Sequence, residues 1–197
     1  MTDSSTGGYL VPDPALAAPL EDDALDDFMH DLVAGITGLD PTLVRPRWQP
    51  EPPNMPPKDT DWVGVGIPTR RTDVFPVIEH DPHAAGGLGA DILIRHEELD
   101  LLCSFYGPHC QAYAARLRDG LGIAQNREPM AAAGMALVSA GDPTKAPEMI
   151  KNTWVGRADL TVVIKRVISR EYAVLNLLSA EGTIATEAVT VAFNTAS

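Results

Sequence analysis

The sequence is short of several features that would point to particular chemistry. Two cysteines in 197 residues are no disulfide framework. No apolar run approaches the ~18–20 residues of a membrane span, and the start, MTDSSTGGYLVPDP, lacks the basic opening and apolar middle of a secretory signal. Both points read as a soluble chain that folds in a reducing cytoplasm. A basic excess is missing as well. Net charge is −12; residues 1–60 carry 11 acids against 3 bases, and residues 61–197 carry 16 against 12. That balance argues against a general nucleic-acid binder, which must neutralise phosphates. The glycine-rich DPHAAGGLGAD (Asp81–Asp91) has no Lys-Ser/Thr behind it and reads as a mobile hairpin loop, not a phosphate loop. No serine elbow, dinucleotide fingerprint or metalloprotease helix occurs.

What the chain does have is 45% apolar residues, enough for a sizeable core, arranged in clear periods. Leu99–Gly122 is the organising stretch. Leu99, Leu101, Cys103 and Phe105 alternate as one face of a strand, and Gly107-Pro108 breaks it. Tyr113, Leu117 and Leu121 then repeat at helical spacing, with Gly120 and Gly122 as the stop. A second helix is predicted over 21–36, where Leu25, Phe28, Met29, Leu32, Val33 and Ile36 form one stripe behind Glu21, Asp22 and Asp23. A short third helix is expected over 126–133, capped by Asn126.

Between these lie extended segments. Residues 39–60 hold seven prolines and predict an extended strap, partly polyproline II, unable to form helix or central strand. An SH3-type ligand is the alternative for that composition. Strands are predicted over 61–69, stopped by Pro68, over 74–80, over 91–106 and over 135–140. In 91–106 the apolar face switches near Glu97–Glu98, which predicts a bulge or short turn. Trp154–Arg170 is the longest strand candidate, with Thr183–Phe193 as its partner. The connection Tyr172–Ala180 is too apolar for a solvated hairpin loop: either it folds back onto the core or a partner covers it.

Candidate chemistry is sparse. His96, Cys103, His109 and Cys110 are the only metal-like set, but His109 and Cys110 are adjacent and splay apart on a helix, and Cys103 has core parity. Cys110 with His80 or His83 is the only thiol–base pairing to weigh. Adjacent acids such as Glu97-Glu98 read as solvated surface. No catalytic residue, metal or cofactor is assigned. The basic cluster Arg157, Lys165, Arg166 and Arg170 is either a solvated strand face or a surface for acids of a neighbouring subunit. With Tyr172, Leu175 and Leu177 it makes up the candidate subunit interface.

The run Arg95–Glu128, RHEELDLLCSFYGPHCQAYAARLRDGLGIAQNRE, resembles the central segment of phage neck and tail-terminator proteins. The resemblance continues through Trp154…Arg157-Ala-Asp159, through Val174–Gly182 and upstream through Gly35–Asn54, and covers most of 25–190. The elements read above predict an α+β fold, an antiparallel β-sheet flanked by two or three helices, with an N-terminal helix and Pro-rich strap. They divide the chain into a flexible leader (1–20), helix and strap (21–60) and an α+β tail-terminator-like domain (61–197). The resemblance itself implies a non-enzymatic virion protein made in the host bacterial cytoplasm and assembled as a hexameric ring. The implied partners are further copies of itself, the tail-tube protein and head-connector or neck proteins, with DNA passing through unread and no membrane involved. Another neck ring, a monomeric adaptor acting through the strap, and a small Cys/His hydrolase are the alternatives.

Overall fold

The computed structural model describes residues 3–14, 18–49, 54–150, 152–185 and 190–196, with side chains as far as residue 179. In chain order the elements are α1 (Asp22–Thr37), β1 (Val44–Pro46), β2 (Trp62–Thr72), β3 (Val77–Asp81), the short helical turn α2 (Ala84–Gly87) and β4 (Ala90–Tyr106). There follow α3 (Cys110–Leu121), α4 (Glu128–Ala132), β5 (Met135–Ala140), β6 (Thr144–Lys145), β7 (Glu148–Ile150) and β8 (Thr153–Val155). The chain closes with β9 (Arg157–Tyr172), β10 (Ser179–Ala185) and β11 (Thr190–Ala196). Two compact units result. The larger comprises Pro19–Pro76 and Arg95–Ile168, and the smaller Met1–Ala18, Val77–Ile94 and Ser169–Ser197. The larger unit begins at Pro19, close to the end of the expected leader, and α1 and Val44 share one hydrophobic core with β2, β4 and β9.

In the larger unit the strand order is β1-β2-β4-β9-β5, with β6 also on β9. The α+β class holds, but the sheet is mixed: β1 runs parallel to β2, pairing Val44 with Val63 and Pro46 with Val65. The strap therefore contains both a helical turn and a strand, contrary to the purely extended run that its prolines suggest. Asp40 turns the chain by accepting from the Thr42 N–H at 2.8 Å, and Pro41 opens a 3-10 turn, Pro41–Leu43, where its missing N–H costs nothing. Pro46 is tolerated because β1 is an edge strand.

Helix α1 forms as its stripe predicts, burying Leu25, Met29, Leu32 and Val33, each worth about 1.5–3 kcal/mol. It ends at Gly38, whose φ of 69° lets its N–H reach the Ala34 carbonyl at 2.9 Å. Arg116 on α3 donates to the Thr37 carbonyl at 2.8 Å, occupying one of the orphan acceptors of the last turn. Gly120 does not stop α3, which runs on to Leu121. Its place is a close approach: a Cβ there would collide with Ile36 of α1.

Three strand boundaries depart from their periodicity. Pro68 does not end β2; a register shift between Gly66 and Thr69 carries the proline past the ladder. The expected strand start at Val74 falls outside β3, since Asp73–Pro76 leaves the ladder after the Thr72–Glu97 pair. Trp154 belongs to the separate β7–β8 hairpin and not to β9. In the smaller unit β3 pairs antiparallel with Ala90–Ile94, and Ala85, Gly86, Gly87 and Gly89 all take positive φ in the connection that was expected to be a plain loop. The predicted partner strand 183–193 is two strands, β10 and β11, paired with each other from Ser179–Ala196 to Ala185–Thr190. Residues 186–189, TEAV, carry no Gly, Asn or Pro to announce a reversal, and they lie outside the described residues.

Candidate functional site

Strand β9 carries most of the basic cluster, and its alternation decides what each cation can do. Ala158, Leu160, Val162, Ile164, Arg166 and Ile168 share the buried parity. Arg166 is 3% exposed, and its guanidinium is taken up by groups of its own chain. Its Nε donates to Glu97 Oε2 at 2.9 Å and its Nη2 lies 3.1 Å from Glu21 Oε2, while Nη1 donates to the Leu20 carbonyl. Arg70 lies 2.8 Å from the same Glu21 oxygen. Burial pushes the Glu21 carboxyl up, but Arg166 and Arg70 outweigh it and hold the group below its ordinary value.

This network also corrects the reading of β4. Glu97 is buried, not solvated, and continues the core face of Leu99, Leu101 and Cys103. The ladder is regular at Glu97–Glu98, where Arg71–Glu98 and Thr72–Glu97 pair in step, and its register shift lies farther along, opposite Leu101. The sequence pattern changes there because Glu97, a carboxylate, holds a core position on the part of β4 that pairs with β2, whereas Ile92 and Ile94 lie on the part that pairs with β3. Arg166 on the buried parity of β9 was the signal that could have revealed its partner.

Arg157 also works within the chain. Its Nε and Nη2 grip Asp159 at 2.8 and 2.9 Å, its Nη1 donates to Glu148 at 3.0 Å, and the guanidinium lies 5.7 Å from the Tyr106 ring. Lys165 is exposed on the larger unit. The remaining candidates, Arg170, Tyr172, Leu175 and Leu177, belong to the smaller unit. There Leu177 is 79% exposed, while the Leu175 N–H donates to Ser4 Oγ at 2.8 Å. The leader reaches the same stretch: Ser4 N–H donates to the Ala173 carbonyl at 3.0 Å, and Asp13 N–H to that of Glu171 at 2.9 Å.

Two apolar surfaces of the larger unit were missed. Val74 and Phe75 are each 84% exposed at the tip of Asp73–Pro76. The base of this tip is tied down: Asp73 N–H donates to the His96 carbonyl at 3.2 Å, and its carboxylate accepts from the His96 N–H at 3.3 Å. Pro76, which has no N–H to donate to a ladder, was the available signal. At the start of β2, Trp62 and Tyr106 stack with centroids 4.3 Å apart and floor a cleft of about 280 Å³ walled by Met55, Pro56, Ile150 and Val155.

The metal-like residues are dispersed into separate roles. Cys103 and Cys110 are both buried in the core, and burial pushes the Cys103 thiol up to about 12. His109 faces Asp61 at 2.8 Å, and His96 faces Asp73 at 3.3 Å. Among the described residues no three His, Cys, Asp or Glu side chains converge as a metal site. A thiol reagent should therefore label neither cysteine of the native protein and both in denaturant, as read by mass spectrometry.

Among the described residues no helix is long and apolar enough to cross a membrane. No curated protein matches the chain. Residues 23–188, drawn from both units, match the family described as phage neck terminator protein. On that match, which covers most of its length, the chain belongs to the phage neck terminator family of virion structural proteins.

Proposed function

We propose that this chain is the repeating subunit of a hexameric ring that caps the finished tail tube and joins it to the head connector. The family match over residues 23–188 carries the reading. A closed ring of identical chains needs two unlike surfaces, one meeting the other on the next copy. The Val74–Phe75 tip and the Trp62–Tyr106 cleft have the required difference in shape. They flank the two ends of β2, whose eleven residues span about 35 Å. Lys165 on the larger unit, and Arg170, Tyr172, Leu175 and Leu177 on the smaller, remain the proposed contacts to neighbouring copies or to the tube and connector. The subunit has no enzymatic task. Stopping a tube requires a lower face that matches the tube and an upper face that does not match another tube subunit. An acidic chain suits passage of DNA without readout. The protein acts in the virion neck after synthesis in the host bacterial cytoplasm.

Electron microscopy of particles lacking the protein tests this reading. Overlong tubes beside tailless heads are expected, whereas tails of normal length beside unattached heads would assign it to a different neck ring. Phe75→Ser should leave unfolding free energy within about 0.5 kcal/mol of the parent, as an exposed substitution, yet shift native mass spectra from ring to monomer. A ring that survives this change would remove Phe75 from the interface.

A further inference from the structure

In the smaller unit Asn176 binds the 173–178 segment to the turn between β3 and β4 through four hydrogen bonds. Its backbone N–H donates to the Leu88 carbonyl at 2.8 Å, and its side-chain Nδ2 donates to the carbonyls of Pro82 at 3.0 Å and Gly87 at 2.9 Å. With both amide protons committed to carbonyls, the Oδ1 atom is left to face His80, and it lies 2.8 Å from Nε2. The other ring nitrogen, Nδ1, lies 2.7 Å from the Asp91 carboxylate. Both nitrogens of His80 thus point at atoms that can only accept. Neutral imidazole has one N–H and satisfies one of them; imidazolium satisfies both.

The fit around this clasp is close. Gly89 has a φ of 95°, and a Cβ there would stand 2.5 Å from Asn176 Oδ1, so the turn has glycine where the amide must pass. The clasped segment carries Leu177 and Leu178, both exposed, and leads directly into β10.

We infer that His80 is a proton-dependent latch: as imidazolium it holds the 173–178 segment against the β3–β4 turn, and on deprotonation it gives up one of its two contacts and loosens it. The charged groups facing the ring are Asp91 across the strand pair and Asp81 on its own strand. Both favour the cation, and the Asp91 and Asn176 hydrogen bonds raise the His80 pKa above its ordinary value. Because the folded value is the higher one, the latch is complete below about pH 6.5 and is lost as pH rises through the raised value. The inference stands apart from the ring reading, since it concerns the smaller unit's own hydrogen bonds.

Hydrogen–deuterium exchange of the full chain across pH 5.5–9, corrected for intrinsic exchange, tests it. Protection of residues 173–178 should fall roughly two- to fivefold through the His80 titration, the size expected for a part-exposed charge pair. His80→Gln should make that protection independent of pH. Nitrogen NMR of the unmodified protein supplies a second readout, in which His80 should show protons on both ring nitrogens at pH 6. Flat protection in the parent, an unchanged pH response in the variant, or a His80 ring with one bare nitrogen at pH 6 would each overturn the latch.

Discussion

Arg166→Ala should lower the unfolding free energy of the larger unit by about 3–5 kcal/mol, the cost of leaving a buried charge without its partner. Glu97 is the group left behind. It is 9% exposed and its Oε2 lies 2.8–2.9 Å from the guanidinium, so no solvent can replace what the arginine supplied. The cost is not the worth of the pair. Exchanging both residues, as in Arg166→Met with Glu97→Met, should bring stability back to within about 1.5 kcal/mol of the parent, since an apolar pair needs no desolvation of charge. Urea denaturation of the single and double variants reads both numbers. A single-variant loss below 1 kcal/mol would mean that water reaches Glu97. Acid should erode the same network. Glu21 titrates below its ordinary value of 4.5, so its contribution is complete above that pH and is lost as pH falls through the depressed value.

The second large effect lies at the turn from β4 into α3. Gly107→Ala should cost about 3 kcal/mol, combining backbone strain with a steric clash. Gly107 has a φ of 107°, and a Cβ there would stand 2.5 Å from Asp61 Oδ1 and 2.7 Å from the Thr60 carbonyl. Neither neighbour can yield freely. Asp61 is held because its Oδ1 accepts from the His109 N–H at 2.8 Å, at the start of α3, and Thr60 presents backbone. Moving the glycine instead would stretch its N–H bond to the Gly156 carbonyl, now 3.1 Å. Gly35→Ala is the contrasting case. Gly35 sits on the exposed side of α1 with ordinary φ and nothing within 4 Å of a new Cβ, so alanine should stabilise by about 0.5–1 kcal/mol. Opposite signs at the two glycines, read from thermal or urea unfolding, would confirm that position and not residue type decides; equal losses would refute it.

What was legible in the sequence was whatever repeats over a few residues. The stripe of α1, the core parity of Leu99, Leu101, Cys103 and Phe105, and the break at Gly107-Pro108 all follow from backbone geometry, because a period of 3.6 or 2 is a local property of the chain. The α+β class was readable for the same reason. The candidate interface was less so. Arg166 was grouped with its basic neighbours by charge, although its parity placed it with Ile164 and Ile168 in the core.

Tertiary structure decided the rest. Glu97 and Arg166 are 69 residues apart, and no local pattern distinguishes a carboxylate with a buried partner from one in water. Gly120 carried a stop signal but serves a close helix contact, because Ile36 lies opposite it. The parallel pairing of β1 depends on which remote strand offers its N–H and C=O groups, here β2. By itself the sequence determined which faces must be buried and which family the chain resembles. Only the fold determined what covers each face, because burial is imposed by residues brought from far along the chain.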